Sequence, residues 1–299
     1  MKAILVLTDF SNEADYVAEF AINLAIKIRA NLTFCHILEK DDHRQHFESH
    51  TTDRYETGYR KAFDLSEKLE IYTKMVKAHK GHSTFSPSIE CIVNFGNFAE
   101  TAAKIVAEKS IDFVIIGSRK SHSVTKFQFG SQTYTLPDKF KCPVLLVPEG
   151  LKFENLKTIL YASDLSENEK SDNSKQALQF LAELAKPFKA AVKVGHIENK
   201  TQPVRISETV SSDSLNHQLG RYYAKLIYQT LNDEHLCEGL KQMIGKEKIN
   251  ILAMAHRKYH FREGGFHSTV SKLMPGVEIP LLILPNSFIS ESKLKSLKS

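Results

Sequence analysis

The sequence predicts an α/β protein of two tandem domains, each a parallel sheet flanked by helices. Three observations carry that expectation. Short unbroken apolar runs alternate with segments of helical periodicity, the pattern of strands buried on both faces and joined by crossover helices. The 299 residues divide into two halves that can be laid over one another. Each half opens on an apolar run ending in Asp-x-Ser and closes on an apolar run ending in proline.

The first half begins AILVLTDFS (Ala3 to Ser11) and the second TILYASDLS (Thr158 to Ser166). In the helix that follows, Val17, Ala21, Leu24 and Ile28 recur at steps of 4, 3 and 4, as do Ala177, Leu181, Leu184 and Phe188. That spacing is the buried face of an amphipathic helix. A second strand ends in His36-Ile37 in one half and His196-Ile197 in the other. VIIGSRK (Val114 to Lys120) corresponds to LAMAHRK (Leu252 to Lys258), and LPDKFKCPVLLVP (Leu136 to Pro148) to MPGVEIPLLILP (Met274 to Pro285). The domains expected are 1–150 and 151–299, with residues 149–156 as linker.

Taken in order, the first strand is Ala3 to Leu7. Ser11 is the expected N-cap of a helix to Arg29. The second strand is Leu32 to Leu38, and a polar stretch, Glu39 to Thr52, precedes a helix over Asp53 to Ala78. The third strand is Ser88 to Val93, closed by Gly96, and a helix covers Ala99 to Glu108. Phe113 to Ile116 is the fourth strand and Val144 to Val147 the fifth. Between them lie a polar loop and a short helical segment, shortened or kinked by Pro137 as its counterpart is by Pro275. The second half repeats this. Ser166 and Glu169 form a capping box, Leu226 to Tyr228 is the expected third strand, and His235 to Gly245 the third helix. The tail from Asn286 is polar and basic.

One stretch carries chemistry. Gly117 ends the fourth strand, and Gly130-Ser131 opens the short helical segment. Glycine lets a backbone approach a ligand, and a helix start offers unpaired N–H groups and positive dipole, which suits phosphate. The competing reading is that these glycines only make turns. Asp9, at the first strand's end, either binds a ligand or caps backbone N–H groups.

These residues resemble the universal stress protein family, whose nucleotide signature is G-x2-G-x9-G-[ST]. Gly117, Gly130 and Ser131 match it at the right spacing, while Lys120 replaces the second glycine. Lys120 either blocks the phosphate loop or supplies a cation to it. In the second half the aligned positions are Ala255, Lys258, Ser268 and Thr269, without a glycine. The resemblance covers nearly the whole chain as two copies, the second degenerate. It implies a Rossmann-like (adenine nucleotide alpha hydrolase-like) fold with five parallel strands per copy in the order 3-2-1-4-5. It implies that Thr8 and Asp9 lie near the base and ribose and that the backbone of Ile37 contacts the adenine. Gly117, Arg119, Lys120, Gly130, Ser131 and Gln132 would surround the ribose and phosphates. The implied cofactor is ATP, with magnesium, in the first half only. The implied partner is the chain's own second half, packed as a pseudo-dimer through the last strands; homo-oligomers pair the same way. Independently, ligands of open α/β sheets sit outside the strands' carboxyl ends, where the strand order reverses.

Composition excludes several classes. The net charge is +5 and the lysines are scattered, with no arginine-rich arm or aromatic stacking pattern, so nucleic acid is not an expected partner. No apolar run approaches a membrane span of about 20 residues. The N-terminus reads as a strand, not a signal peptide. Cys35, Cys91, Cys142 and Cys237 form no C-x-x-C pair and read as core residues of a reducing compartment, so the expected location is the cytoplasm. His43, His46 and His50 would share a helix face, but their segment has no apolar stripe and reads as solvated surface rather than a metal site. His79 and His82 read the same way. No catalytic constellation is present. The expectation is a non-enzymatic nucleotide-responsive module. The alternatives are a scaffold that binds no nucleotide and a slow ATP hydrolase with Asp9 as metal ligand.

Overall fold

The computed structural model describes residues 1–11, 14–38, 51–78, 84–117, 119–120, 127–128, 136–162, 172–198, 228–232, 236–255 and 278–285. They fall into two compact units, Met1–Gly117 and Ser118–Ser299.

In the first unit the elements run β1 (Ala3–Leu7), α1 (Asp15–Ile28), β2 (Asn31–Leu38), α2 (Thr51–Ala78), β3 (Ile89–Phe95), α3 (Phe98–Glu108) and β4 (Phe113–Gly117). The strands lie in the order β3-β2-β1-β4, all parallel. Ile4, Leu5 and Val6 of β1 and Phe113, Val114 and Ile115 of β4 are fully buried, because strands inside a sheet covered on both faces need apolar residues at every position. Right-handed crossovers place α1 and α2 on one face and α3 on the other. On the α2 face Phe34 meets Tyr72, ring centroids 4.5 Å apart.

Helix α1 buries Val17, Ala21 and Leu24 on the stripe expected of it. Its start differs from expectation. Ser11 is not the N-cap: the helix begins at Asp15, after Ala14, which makes no side-chain cap. The Ser11 hydroxyl and N–H instead donate to Asp9 Oδ1, at 2.7 and 3.0 Å. The helix starts four residues further on, too far for Ser11 to cap it, and the two hydrogen bonds to Asp9 hold Ser11 in a local turn. Helix α3 begins one residue earlier than expected because Asn97 caps it. Asn97 Oδ1 accepts from the N–H groups of Ala99 and Glu100, at 3.1 and 3.2 Å. Asn97→Ala should lower stability by about 1 kcal/mol, and Asn97→Asp by far less, as read from thermal melts.

In the second unit the elements are β5 (Arg119–Lys120), β6 (Phe127–Gln128), α4 (Leu136–Phe140), β7 (Val144–Val147), β8 (Thr158–Ala162), α5 (Asp172–Ala185), β9 (Ala191–Glu198), β10 (Tyr228–Asn232), α6 (Leu236–Glu247), β11 (Ile251–Ala255) and β12 (Leu281–Leu284). The main sheet runs β10-β9-β8-β11-β12-β7. Its first five strands are parallel, and β7 joins β12 antiparallel, with Leu281 opposite Leu146, Leu282 opposite Leu145 and Ile283 opposite Val144. Val144 to Val147 and Leu282 to Leu284 are fully buried. The third strand of the second half lies at Tyr228–Asn232 rather than Leu226 to Tyr228, and its third helix is Leu236–Glu247. Strand β10 pairs with β9 at the sheet edge, where one neighbour imposes less apolar pattern on the sequence. The helix around Pro137 is short, at five residues, and Pro137 stands in its first turn, where no N–H is needed.

The two units share details invisible in the residue patterns. Asp112 Oδ2 accepts from the N–H groups of Lys2 and Ala3, at 2.6 and 3.1 Å. Asn250 Oδ1 accepts from those of Lys157 and Thr158, at 2.8 and 3.0 Å. Each is the residue that precedes the fourth strand of its half by one, and each ties down the start of the first. The turns into the second strands also match. Arg29 and Lys189 both take left-handed backbone, at φ 60° and 54°, and Ala30 and Ala190 donate to Ala25 and Ala185.

Candidate functional site

The first unit gathers four of the sequence-predicted residues at the carboxyl edge of its sheet. The last paired residues of β1 and β4 are Leu7 and Ile116, so Thr8 and Gly117 emerge side by side. Between them is the crevice where chain order reverses, β2 lying on one side of β1 and β4 on the other.

Thr8 extends the pairing of β1, its N–H donating to the Cys35 carbonyl at 3.0 Å. Its hydroxyl accepts from the Phe10 N–H at 3.2 Å. Its carbonyl lies 3.1 Å from His36 Nδ1. A carbonyl only accepts, so this hydrogen bond puts the proton on Nδ1. The Phe10 ring stands edge-on to His36, centroids 6.4 Å apart, and Phe10 itself has left-handed backbone, φ 58°. Asp9 sits inside this tight loop. Its Oδ1 is taken by Ser11, the capping role, while the carboxylate stays at the strand end where a ligand role would need it.

Ile37 is 8% exposed, so anything it offers a ligand comes from its main chain. Cys35 turns its carbonyl toward β1. The two-residue alternation of a strand turns the main-chain groups of Ile37 the same way, past the last paired residue of β1.

Gly117 ends β4, and the structure shows what its missing side chain admits. A Cβ there would lie 2.5 Å from Tyr16 Oη, 3.1 Å from its Cζ and 3.2 Å from Val17 Cβ. A side chain there would make the Tyr16 ring shift and would crowd Val17.

Arg119 and Lys120 belong to the second unit and form β5, paired antiparallel to β6, Arg119 opposite Gln128 and Lys120 opposite Phe127. The stretch expected as polar loop therefore contains a short two-stranded ribbon. Lys120, where the signature has its second glycine, has extended backbone open to any residue, so nothing local demands glycine there. Gly130, Ser131 and Gln132 lie outside the described residues, as do Asp164, Ser166, Glu169, Lys258, Ser268, Thr269 and His43, His46, His50, His79 and His82. Among the described residues no group of three or more His, Cys, Asp or Glu could hold a metal, and no helix is long and apolar enough to cross a membrane.

Cys35 and Cys91 offer no nucleophile near neutral pH. Burial pushes Cys35 up to about 11, against a smaller lowering by a hydrogen bond with Asn94. Burial, then the Glu90 charge, pushes Cys91 up to about 12. Cys35, Cys91 and Cys142 are unbridged.

Sequence reasoning placed His36 at a strand end as a structural residue and missed Tyr16 as part of this edge. The repeated His-Ile at the second strand's end was a signal for His36. Tyr16 gave none, since its meeting with Gly117 joins residues a hundred positions apart.

Residues 1–148 match the model of the universal stress protein family. No curated protein matches the chain in sequence. A solved universal stress protein from Archaeoglobus fulgidus DSM 4304 is 15% identical, covers 95% of this chain and 98% of its own, and superposes with a TM-score of 0.69. A putative universal stress protein from Pseudomonas aeruginosa UCBPP-PA14 is 13% identical over 100% of this chain and 96% of its own, TM-score 0.56. A functionally unknown protein from Pseudomonas aeruginosa PAO1 gives the same figures. At these identities the likeness is one of fold alone, and the family rests on the match over residues 1–148. Through residues 1–148, the chain belongs to the universal stress protein family.

Proposed function

We propose that the chain is a tandem universal stress protein whose first copy, residues 1–150, binds an adenine nucleotide, and whose second copy, 151–299, has lost that site. The observation that carries the reading is the crevice at the carboxyl ends of β1 and β4, with Thr8 and Asp9 on one side and Gly117 on the other. The base would lie over the main chain of Ile37. The phosphates, as ATP with magnesium, would lie along the Arg119–Gln132 stretch, where the signature spacing puts Gly130 and Ser131. In the second half Ala255 ends β11 where Gly117 ends β4, and the signature glycines are absent. The antiparallel pairing of β7 with β12 supports a pseudo-dimer in which the two copies join through their last strands. The module acts in the cytoplasm by binding, not by turnover.

Calorimetry with ATP and magnesium tests this. We expect one site per chain, removed by Gly130→Val because a branched side chain would fill the space the phosphates need. Lys120→Gly should weaken binding by removing a cation from the phosphates; tighter binding would make Lys120 an obstruction. A chain that takes up no nucleotide would instead be a scaffold, a reading favoured by the engagement of Asp9 Oδ1 with Ser11.

A further inference from the structure

We propose that His36 is the positioning residue of the crevice. Its imidazole clasps the strained loop Thr8–Ser11 to the end of β2 and so fixes Thr8 and Asp9 in the arrangement a nucleotide meets. The inference rests on the nucleotide reading above and adds a residue outside the signature.

The loop is strained at Phe10. Among the described residues, Arg29, Ser110, Lys141, Lys189 and Lys248 also have left-handed backbone, but each stands within two residues of the end of a helix or helical turn, where that conformation is ordinary. Phe10, at φ 58°, follows a strand instead. A bulky side chain disfavours this backbone, and such a residue persists where its surroundings over-determine it.

The surroundings here converge on His36. The Phe10 N–H donates to the Thr8 hydroxyl at 3.2 Å, and the Thr8 N–H donates to the Cys35 carbonyl at 3.0 Å. His36, next along β2, donates from Nδ1 to the Thr8 carbonyl at 3.1 Å. The same ring meets Phe10 edge to face, centroids 6.4 Å apart. One imidazole therefore holds the loop at two points, the main chain of Thr8 and the side chain of Phe10, and Asp9 lies between them. Ser11 closes the loop through its hydroxyl and N–H on Asp9 Oδ1.

A site held in its binding shape before the ligand arrives spares the cost of ordering it on binding. His36 acts in this way through Thr8 and Asp9, and the role requires no contact between the imidazole and the ligand. Without the Nδ1 hydrogen bond the Thr8 carbonyl loses a donor, Phe10 can relax toward ordinary backbone, and Asp9 moves with it.

The test uses the full chain and calorimetry with ATP and magnesium, well below each variant's melting temperature. His36→Leu removes the donor and the ring, and affinity should fall about tenfold, the value of one hydrogen bond. His36→Asn carries an N–H donor as far from Cβ as Nδ1 is, and should keep affinity within about threefold of the natural chain. A residue serving the fold alone would lower the melting temperature and leave the affinity of the folded protein unchanged. Phe10→Gly keeps the question open to measurement if His36→Leu does not fold, because glycine takes φ 58° without strain. Loss of its ring contact with His36 should weaken ATP about threefold. Natural affinity in folded His36→Leu, or in Phe10→Gly, overturns the clasp. Equal losses in His36→Asn and His36→Leu overturn the part given to the hydrogen bond with Thr8. Failure of the natural chain to bind ATP overturns the nucleotide reading, and the role of His36 falls with it.

Discussion

Leu145→Asp should unfold the second unit at ambient temperature. Leu145 is the middle of β7, faces Leu282 across the antiparallel pair with β12, and both are fully buried. A carboxylate there has apolar neighbours on its own strand and on the opposite one. Burying an unpaired charge costs several kcal/mol even after the site relaxes, and the lost leucine packing adds more. The sum, about 4 kcal/mol or more, is comparable with the whole stability of an ordinary domain. Leu282→Asp should behave alike, because it places the same charge at the same point of the ladder. Leu145→Met, which keeps volume and polarity, should cost less than about 1.5 kcal/mol. Urea and thermal melts of the three variants decide the matter. If Leu145→Asp melted like the natural chain, β7 and β12 would not be paired in the folded protein.

The second large effect is expected at Asp15 and Lys68. Lys68 is buried in α2, its side chain 9% exposed, and its partner Asp15 is 29% exposed. Asp15→Ala leaves the ammonium in place with its carboxylate gone. Cutting one member from a buried pair costs about 3–5 kcal/mol, and the partial exposure of Asp15 brings the expectation down to about 2. Tyr72 loses its acceptor as well. Its hydroxyl is held protonated far above the usual phenol range, by burial first and then by the Asp15 charge and hydrogen bond. Replacing both members by apolar residues, Asp15→Leu with Lys68→Met, should recover much of the loss, since the uncompensated charge is removed with its partner. Chemical denaturation of the two single variants and the double one measures the coupling. Additive losses would mean that the pair is not what joins α1 to α2.

Much of this architecture was legible in the residue pattern. The strands β1, β4, β7 and β12 are apolar throughout because they are buried on both faces, a demand that short exposed or half-exposed strands do not make. The repeat was visible for the same reason. What escaped was decided by competition or by distance along the chain. Ser11 fits a cap by residue type, but the helix starts only at Asp15, and Ser11 is held in a turn by Asp9 instead. Asn97 does cap a helix, yet it stands among turn residues that favour many conformations. Strand β10 has a neighbour on one side among the described residues, so its sequence carries a weak pattern. The clamps from Asp112 and Asn250 cross about a hundred residues and could be found only once the strands lay side by side. At the site, Thr8, Asp9, Ile37 and Gly117, named by the family resemblance, lie at the carboxyl ends of β1, β2 and β4, and their ligand roles belong to the proposal. The pairing of Arg119–Lys120 with Phe127–Gln128 was not legible, since two-residue strands leave no period to read. Tyr16 was hidden inside an amphipathic stripe, where an aromatic residue is ordinarily just core.

The account turns on one nucleotide site in a chain of two similar halves. The direct measurement is the number of adenine nucleotides held per full-length chain, determined by releasing and quantifying bound nucleotide after saturation with ATP and magnesium. One per chain is the predicted result, falling to none in Gly130→Val. Two per chain would contradict the loss of the second site, and none in the natural chain would contradict nucleotide binding itself.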